Sequence, residues 1–150
     1  MRRSLFLVAA AAMLPMLPTA RAADGAAVYG QVCVACHQAG GTGAPGLAPA
    51  LTGGLAAKAA AAPVRAYLAQ VVTHGLSGRI VVDGVAFNGA MPAQAQLSDD
   101  EIAAVLGHVV VDLAGQKAVP PFSAAEVATA RAAKPSAKEL RAQREAALAQ

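Results

Sequence analysis

Cys33-Val34-Ala35-Cys36-His37 is the most informative stretch of the chain, because it places two thiols one helical turn apart and an imidazole directly after them. This C-x-x-C-H pattern is typical of a c-type haem attachment site. Each thiol can form a thioether to a haem vinyl group, and the histidine is then placed to bind the iron from one face. The rest of the chain must supply a sixth ligand or leave an open site.

A C-x-x-C pair also occurs in thioredoxin-like redox sites, in zinc sites and in ordinary disulfides. Zinc needs about four nitrogen or sulfur ligands, and outside the motif the chain offers only His74 and His108 as further histidines and no second cysteine pair. A thioredoxin-like site expects a βαβ context, whereas the segments around Cys33 are rich in Ala and Gly. Haem attachment is therefore favoured, and a redox dithiol and a disulfide stay open.

The first 22 residues have the pattern of a secretory signal peptide. Arg2 and Arg3 precede an apolar run of 13 residues, 5–17, and residues 20–22 form an A-x-A-like cleavage site. The run is too short to span a bilayer comfortably, and an uncleaved anchor is the alternative. We predict a signal peptide over residues 1–22, export to the periplasm, and no transmembrane segment after cleavage.

The basic charge belongs to this leader. Cleavage after Ala22 removes three arginines and no acid, so Lys+Arg falls from 12 to 9, against 9 Asp+Glu. The pI of about 9.2 therefore describes the precursor, and it gives no reason to expect a nucleic-acid partner. The predicted mature chain also lacks Trp and has few bulky residues, so a covalently held porphyrin would supply missing core material.

Local signals place helices on either side of a Gly- and Pro-rich segment. Asp24 can cap a helix that runs to the C-x-x-C-H turn. Residues 38–54 are predicted as a loop, in which glycine allows close approach to a flat macrocycle. A second helix is predicted from about Pro63 to His74, with Gly75 after its end. His74 is expected to satisfy terminal carbonyls, with iron ligation as the sharper alternative.

The second half begins with a predicted hairpin over residues 80–87, on an Asp-Gly turn. Ser98 and Glu101 form a capping box for the helix with the strongest apolar stripe, which ends at Gly115. A structural role is expected for His108, beside that stripe. The stripe consists of Ile102, Val105, Leu106, Val109, Val110 and Leu113.

Met91 lies between the hairpin and this helix, in the segment Asn-Gly-Ala-Met-Pro at 88–92. By residue type alone a methionine is core filler. Its place in a Gly/Pro loop, after a haem motif and before a long helix, makes it a candidate ligand instead.

Residues 116–150 carry two more S-x-x-E boxes, at Ser123 and Ser136, which predict two short helices separated by Pro135. The last helix is predicted to be a solvated appendage, with a partner-docking helix as the alternative. Its charged residues are Lys138, Glu139, Arg141, Arg144 and Glu145.

With C-x-x-C-H near the mature N-terminus, G-x-P-G-x-x-P-x-L at 43–51, Asn-Gly-x-Met-Pro at 88–92 and a capped final helix, the chain resembles class I c-type cytochromes. It is most similar to small bacterial cytochromes and to cytochrome subunits of periplasmic alcohol or aldehyde dehydrogenases. The resemblance implies an all-α fold with one cytochrome c domain, 23–115, of about three core helices around a covalent haem. A small hairpin and a helical C-terminal extension, 116–150, complete it.

The resemblance also implies roles for individual residues. Cys33 and Cys36 would hold one haem c, His37 would be the proximal iron ligand and Met91 the distal one. The carbonyl of Pro49 would accept the other N–H of His37, with Pro45 as the less favoured substitute. The tryptophan that is common beside a haem propionate in the family is absent here.

Together these features predict an electron-transfer protein rather than an enzyme: a periplasmic single-electron carrier that takes electrons from a periplasmic dehydrogenase and delivers them to an oxidase or reductase. The alternative is a cytochrome c subunit held in a dehydrogenase or oxidase complex. A catalytic haem protein with an open iron site and a dithiol protein without haem are further alternatives, and Met91 opposes the former.

Overall fold

The computed structural model describes residues 22–149, so the predicted signal peptide, apart from Ala22, lies outside the described residues. The chain begins with three consecutive helical segments, Gly25–Val28, Tyr29–Cys33 and Val34–His37, of which the middle one is a π-helix. We call residues 25–37 helix α1. The carboxylate of Asp24 caps it by accepting from the backbone N–H groups of Ala26 and Ala27, as predicted.

Helix α1 crosses a later helix at its first residue. That later helix, α3, spans residues 99–113 and consists of Asp99–Gly107 followed by a π-helical segment, His108–Leu113. A Cβ atom on Gly25 would lie 2.2 Å from the carbonyl oxygen of Ala104, so only glycine fits at this crossing. The rings of Tyr29 and His108 meet edge to face 5.7 Å apart, in a geometry that aromatic pairs favour.

Between these helices lie a loop, a helix and a hairpin. The predicted loop over 38–54 contains only a short 3₁₀ turn, Ala39–Gly41, and is followed by a short helix, Gly54–Ala57. Helix α2, Ala62–His74, has Pro63 in its first turn and ends at Gly75, with φ +73°. Strands β1, Leu76–Val82, and β2, Val85–Met91, pair antiparallel around Asp83-Gly84.

The hairpin is longer than predicted, with seven residues in each strand. Its register pairs Leu76 with Met91, so Asn88 to Met91 form a strand and not the predicted loop. Asn and Gly residues do not favour strands by composition, but pairing with β1 satisfies their backbone groups. The fold is mostly helical with this one small sheet.

The C-terminal segment forms helices α4, Ala124–Ala133, and α5, Ala137–Leu148. Both capping boxes are present, and so is the box at Ser98 that begins α3. The expectation of a solvated appendage is wrong, because Leu140 is 1% exposed and Val127 is fully buried. Helix α4 packs on α2 and α3, and α5 packs on α2 and β1.

The reason for that error is the composition of the packed face. Helices α4 and α5 bury mostly alanine and single aliphatic side chains, so their apolar faces look weak in the sequence. They nevertheless join one core with α2 and α3. This core consists of Ala56, Ala59, Ala69, Ile102, Ala103, Leu106, Val110, Val119, Phe122, Val127 and Ala130. No helix in residues 22–149 has the length and hydropathy that crossing a membrane requires.

Candidate functional site

His37 is the last residue of helix α1, and its ring is buried. Its Nδ1 lies 2.9 Å from the carbonyl oxygen of Pro49. A carbonyl oxygen can only accept, so Nδ1 carries the proton, and in the neutral ring the lone pair is on Nε2. This is the contact that the resemblance implied, made by Pro49 and not by Pro45. It fixes the ring in the tautomer that an iron ligand needs.

The loop after His37 is shaped to bring Pro49 back to the histidine. The N–H of Gly43 donates to the carbonyl of His37 (2.9 Å), and the N–H of Leu51 donates to that of Gly41 (2.8 Å). Gly43 has φ +73°, and a Cβ atom there would lie 2.5 Å from the backbone nitrogen of Ala50. Only glycine therefore permits the close approach of the two chain segments.

Cys33 and Cys36 are both free thiols; Cys33 is half-buried and Cys36 is exposed. Burial raises the pKa of the Cys33 thiol above its ordinary value. A redox dithiol depends on a lowered thiol pKa, so this environment is opposite to the one that a thioredoxin-like pair requires. Both cysteines and His37 line the same cavity.

That cavity has a volume of about 400 Å³ and mainly apolar walls. Its floor comes from α2 and α3, and the hairpin forms another side. Residues 47–51 of the loop contribute a further wall, which includes Pro49. An apolar cavity that reaches two thiols and an imidazole suits a large flat hydrophobic group with covalent anchors.

Met91 lies at the end of β2, half-buried, and lines this cavity together with Phe87 and Pro92. Its backbone is held close to the end of α2: a Cβ atom on Gly75, which has φ +73°, would lie 2.5 Å from the carbonyl oxygen of Met91. The structure therefore brings the methionine to the same cavity as Cys33, Cys36 and His37, from a strand and not from a loop.

The other two histidines do not line the cavity. Nε2 of His74 lies 3.0 Å from the carbonyl oxygen of Ala130, in the last turn of α4. It does satisfy a helix-terminal carbonyl, but on a different helix from the one expected. Nδ1 of His108 lies 2.8 Å from a carboxylate oxygen of Asp112. Both therefore have structural contacts of their own.

Two polar residues of the cavity wall were missed by the sequence analysis, Tyr67 on α2 and Arg144 on α5. Tyr67 was identified only as part of an apolar face, and Arg144 was placed on a solvated helix. The spacing of Leu140, Arg144 and Ala147 at i, i+4 and i+7 could have placed Arg144 on the buried face. All three are at most 5% exposed.

The donor set fits a haem c. The cavity combines two thiols for thioether bonds, an imidazole with Nε2 available, a thioether sulfur and apolar walls. These are the groups that hold and ligate haem in c-type cytochromes. No group of three His, Cys, Asp or Glu side chains that could hold a bare metal ion occurs within residues 22–149.

A C-x-x-C-H motif that ends a helix at an apolar cavity defines the class of c-type cytochromes. Comparison with known proteins agrees: residues 20–109 match the family model described as cytochrome c oxidase, cbb3-type, subunit III. The chain is 44% identical over 125 residues to cytochrome c-552 of Thermus thermophilus, covering 81% of this chain and 95% of the relative. Cytochrome c-552 from a further strain of Thermus thermophilus gives the same identity, over 84% of its length.

The chain therefore belongs to this family of c-type cytochromes. The family implies a haem c cofactor and a role in electron transport rather than in catalysis. The structural features above show which residues of this chain surround the place where such a group would bind.

Proposed function

We propose that the protein is a periplasmic single-electron carrier with one covalently bound haem c, attached through Cys33 and Cys36 and ligated by His37 and Met91. The observation that carries the proposal is the convergence of these four side chains on one apolar cavity. The predicted signal peptide supports export, and covalent haem attachment through cysteines is consistent with it.

When bound, the haem supplies reversible one-electron chemistry. The chain's own residues determine the direction in which that chemistry is biased. His37 is held by Pro49 with Nε2 facing away from that bond, and Met91 offers a soft sulfur that favours reduced iron. Since both axial positions would be occupied by protein side chains, no position is left for a substrate, which favours electron transfer over catalysis.

The cavity walls exclude water on most sides, and a rim of exposed apolar residues suits contact with a redox partner. Leu47 lines the cavity and is 58% exposed, and Val81 and Val85 are exposed on the hairpin. Residues 38–54 and 88–96 contain no charged side chain. We therefore propose docking to partner proteins through this apolar rim, with weak electrostatic steering.

Mass spectrometry and absorption spectra of protein made in a haem-competent periplasm would test the proposal. We expect a mass increase of one haem, an N-terminus at Ala23, and a weak far-red band in the oxidised form that is lost in Met91→Ala. Carbon monoxide should bind slowly to the reduced protein and rapidly to Met91→Ala. A bare polypeptide, or rapid carbon monoxide binding to the unmodified protein at neutral pH, would contradict it.

The same material separates a free carrier from a complex subunit. A diffusible carrier should elute at the size of the single chain from periplasmic extracts of its own organism. Co-purification of the full-length protein, but not of a chain lacking residues 116–150, with a dehydrogenase or an oxidase would favour the subunit.

A further inference from the structure

Arg144 is a cation on a buried helix face. Its side chain is 6% exposed, and it lies between Leu140 and Ala147 on the face of α5 that packs against the protein. Among the described residues that line the haem cavity, it is the only Lys or Arg. Helix α5 lies beyond residues 20–109, which the family model matches.

The protein itself provides little compensation for this buried charge. The guanidinium makes one side-chain hydrogen bond within residues 22–149, from Nη1 to Glu145 Oε1 at 3.0 Å. Glu145 is the adjacent residue and is 69% exposed, so its pairing with Arg144 is screened by water. A guanidinium has five N–H donors, and a buried charge is unfavourable unless it is paired.

Tyr67 provides a second donor beside Arg144. Its side chain is 3% exposed and lines the cavity, and in the described part of the chain its hydroxyl has no hydrogen-bond partner. Burial raises the pKa of Tyr67 to about 12, against which the nearby charge of Arg144 acts in the opposite direction. The hydroxyl is therefore protonated at neutral pH and can donate.

Helix α5 is fastened on both sides of Arg144. The guanidinium of Arg141 donates to the carbonyl of Ser77 at the start of the hairpin. Near the other end, the ammonium of Lys58 donates to the carbonyl of Leu148. These bonds hold the helix against the cavity, so the position of Arg144 is determined by the fold and not by its pairing with Glu145.

We infer that Arg144 binds a propionate carboxylate of the haem, with the hydroxyl of Tyr67 as a second donor. This inference rests on the proposed placement of haem in the cavity. A propionate is an anionic acceptor, and a guanidinium binds carboxylates through two parallel hydrogen bonds. The pair would compensate both buried charges in a chain that lacks the tryptophan common at this place in related cytochromes.

The test is the reduction potential of the purified holoprotein, measured from about pH 5 to about pH 8. Arg144→Gln should lower the potential, because loss of a buried positive charge favours oxidised iron; at a fixed applied potential the reduced-to-oxidised ratio should fall on the order of tenfold. The freed propionate should titrate at higher pH, more so in the reduced protein. The potential of this variant should therefore fall as pH rises, more steeply than in the unmodified protein.

Further variants serve as controls. Arg144→Lys keeps the charge and should shift the potential less than Arg144→Gln, which also provides a test if the latter does not mature. Arg141→Gln removes a cation of the same helix that does not line the cavity, and it should leave the potential unchanged. Glu145→Gln should also leave it unchanged. Tyr67→Phe should give a smaller shift in the direction of Arg144→Gln.

The inference is overturned if Arg144→Gln and Arg144→Lys both keep the unmodified potential and pH profile. It is also overturned if Glu145→Gln reproduces the shift of Arg144→Gln, because Arg144 would then act through Glu145. The same holds if Asp83→Asn accounts for the pH dependence, since Asp83 is the one acidic residue among the described residues of the cavity wall. A chain that carries no haem would instead contradict the proposed function, so the two failures are distinguishable.

Discussion

The two sides of the cavity are built in different ways. On the histidine side, His37, the loop and Pro49 lie within 13 consecutive residues, joined by hydrogen bonds that span at most 12 positions. On the methionine side, Met91 is at the end of a hairpin that depends on α2, α5 and the bonds between them. The histidine side is thus a local structure, whereas the methionine side needs the whole chain.

The largest expected effect comes from removing one ligand from each side. His37→Ala should lower the yield of holoprotein at least about tenfold, because the motif and its loop lose the group around which they close. Met91→Ala should mature at close to the unmodified yield, since the covalent anchors and the proximal ligand remain. Haem absorbance per mass of purified protein measures both. Equal losses of yield would contradict the difference between the two sides.

The next effect tests the loop of the histidine side. Gly43 and Gly46 both have φ +73°, but a Cβ atom would clash with the backbone of Ala50 only at Gly43. Gly46→Ala should therefore cost about 1–2 kcal/mol in the free energy of unfolding, from the left-handed backbone alone. Gly43→Ala should cost clearly more and should displace Pro49 from His37.

Denaturant unfolding of the two holoproteins gives that comparison. A shift in the reduction potential should accompany Gly43→Ala, since the orientation of His37 depends on the Pro49 carbonyl, and should be absent in Gly46→Ala. Identical unfolding midpoints for the two variants would show that the close approach at Gly43 carries no free energy.

A matched pair of glycines exists on the methionine side. A Cβ atom on Gly75 would lie 2.5 Å from the carbonyl oxygen of Met91, whereas at Gly84, with φ +80°, nothing lies within 4 Å. Gly75→Ala should move Met91 and weaken the far-red band of the oxidised holoprotein, with faster carbon monoxide binding in the reduced form. Gly84→Ala should keep both properties. An unchanged band in Gly75→Ala would show that the hairpin end can shift without loss of the ligand.

How much could be predicted from the sequence follows the same division. The cap at Asp24, the loop after His37, the end of α2 at Gly75 and the boxes at Ser98 and Ser123 depend on residues within a few positions of one another, and each prediction was confirmed. Hydrogen bonds of short sequence separation leave signatures that a single sequence shows.

The errors fall where distant segments meet. The extension of β2 to Met91 depends on pairing with Leu76, and the burial of Leu140 and Arg144 depends on helices far away in sequence. An alanine-rich helix with alternating charges is typical of a solvated surface. Close helix packing against small side chains needs few bulky residues, so the sequence contains no strong signal for it.

The C-terminal helices contribute to the methionine side through α2, and their contribution should depend on pH. A bidentate pair joins Arg65 on α2 to Glu126 on α4, at 2.6 and 2.9 Å. The hydrogen bond from Arg65 holds the pKa of Glu126 at about 2, below its ordinary value of 4.5. This stabilisation is present above about pH 4.5 and is lost as pH falls towards about 2.

Glu126→Gln should remove that dependence while keeping the capping box, because Gln also serves at this position. The Glu126 carboxylate is 39% exposed, so the expected difference in unfolding free energy at neutral pH is only about 0.5–1 kcal/mol. Unfolding curves of the two proteins should converge as the pH falls to about 2. A difference that persists there would show that Glu126 acts by packing and not by charge.

The smallest expected effect concerns the rim shared by both sides. Leu47 belongs to the histidine side and Val81 to the methionine side, and both are exposed beside the cavity. Because the two flanking segments, 38–54 and 88–96, carry no charge, the rate of electron transfer to a small neutral redox protein should change less than about twofold between low and physiological salt. Leu47→Ser should slow the reaction more than salt does, because partner contact would lose apolar area. A steep fall of the rate with salt, unaffected by Leu47→Ser, would indicate that charged residues elsewhere on the surface guide the partner.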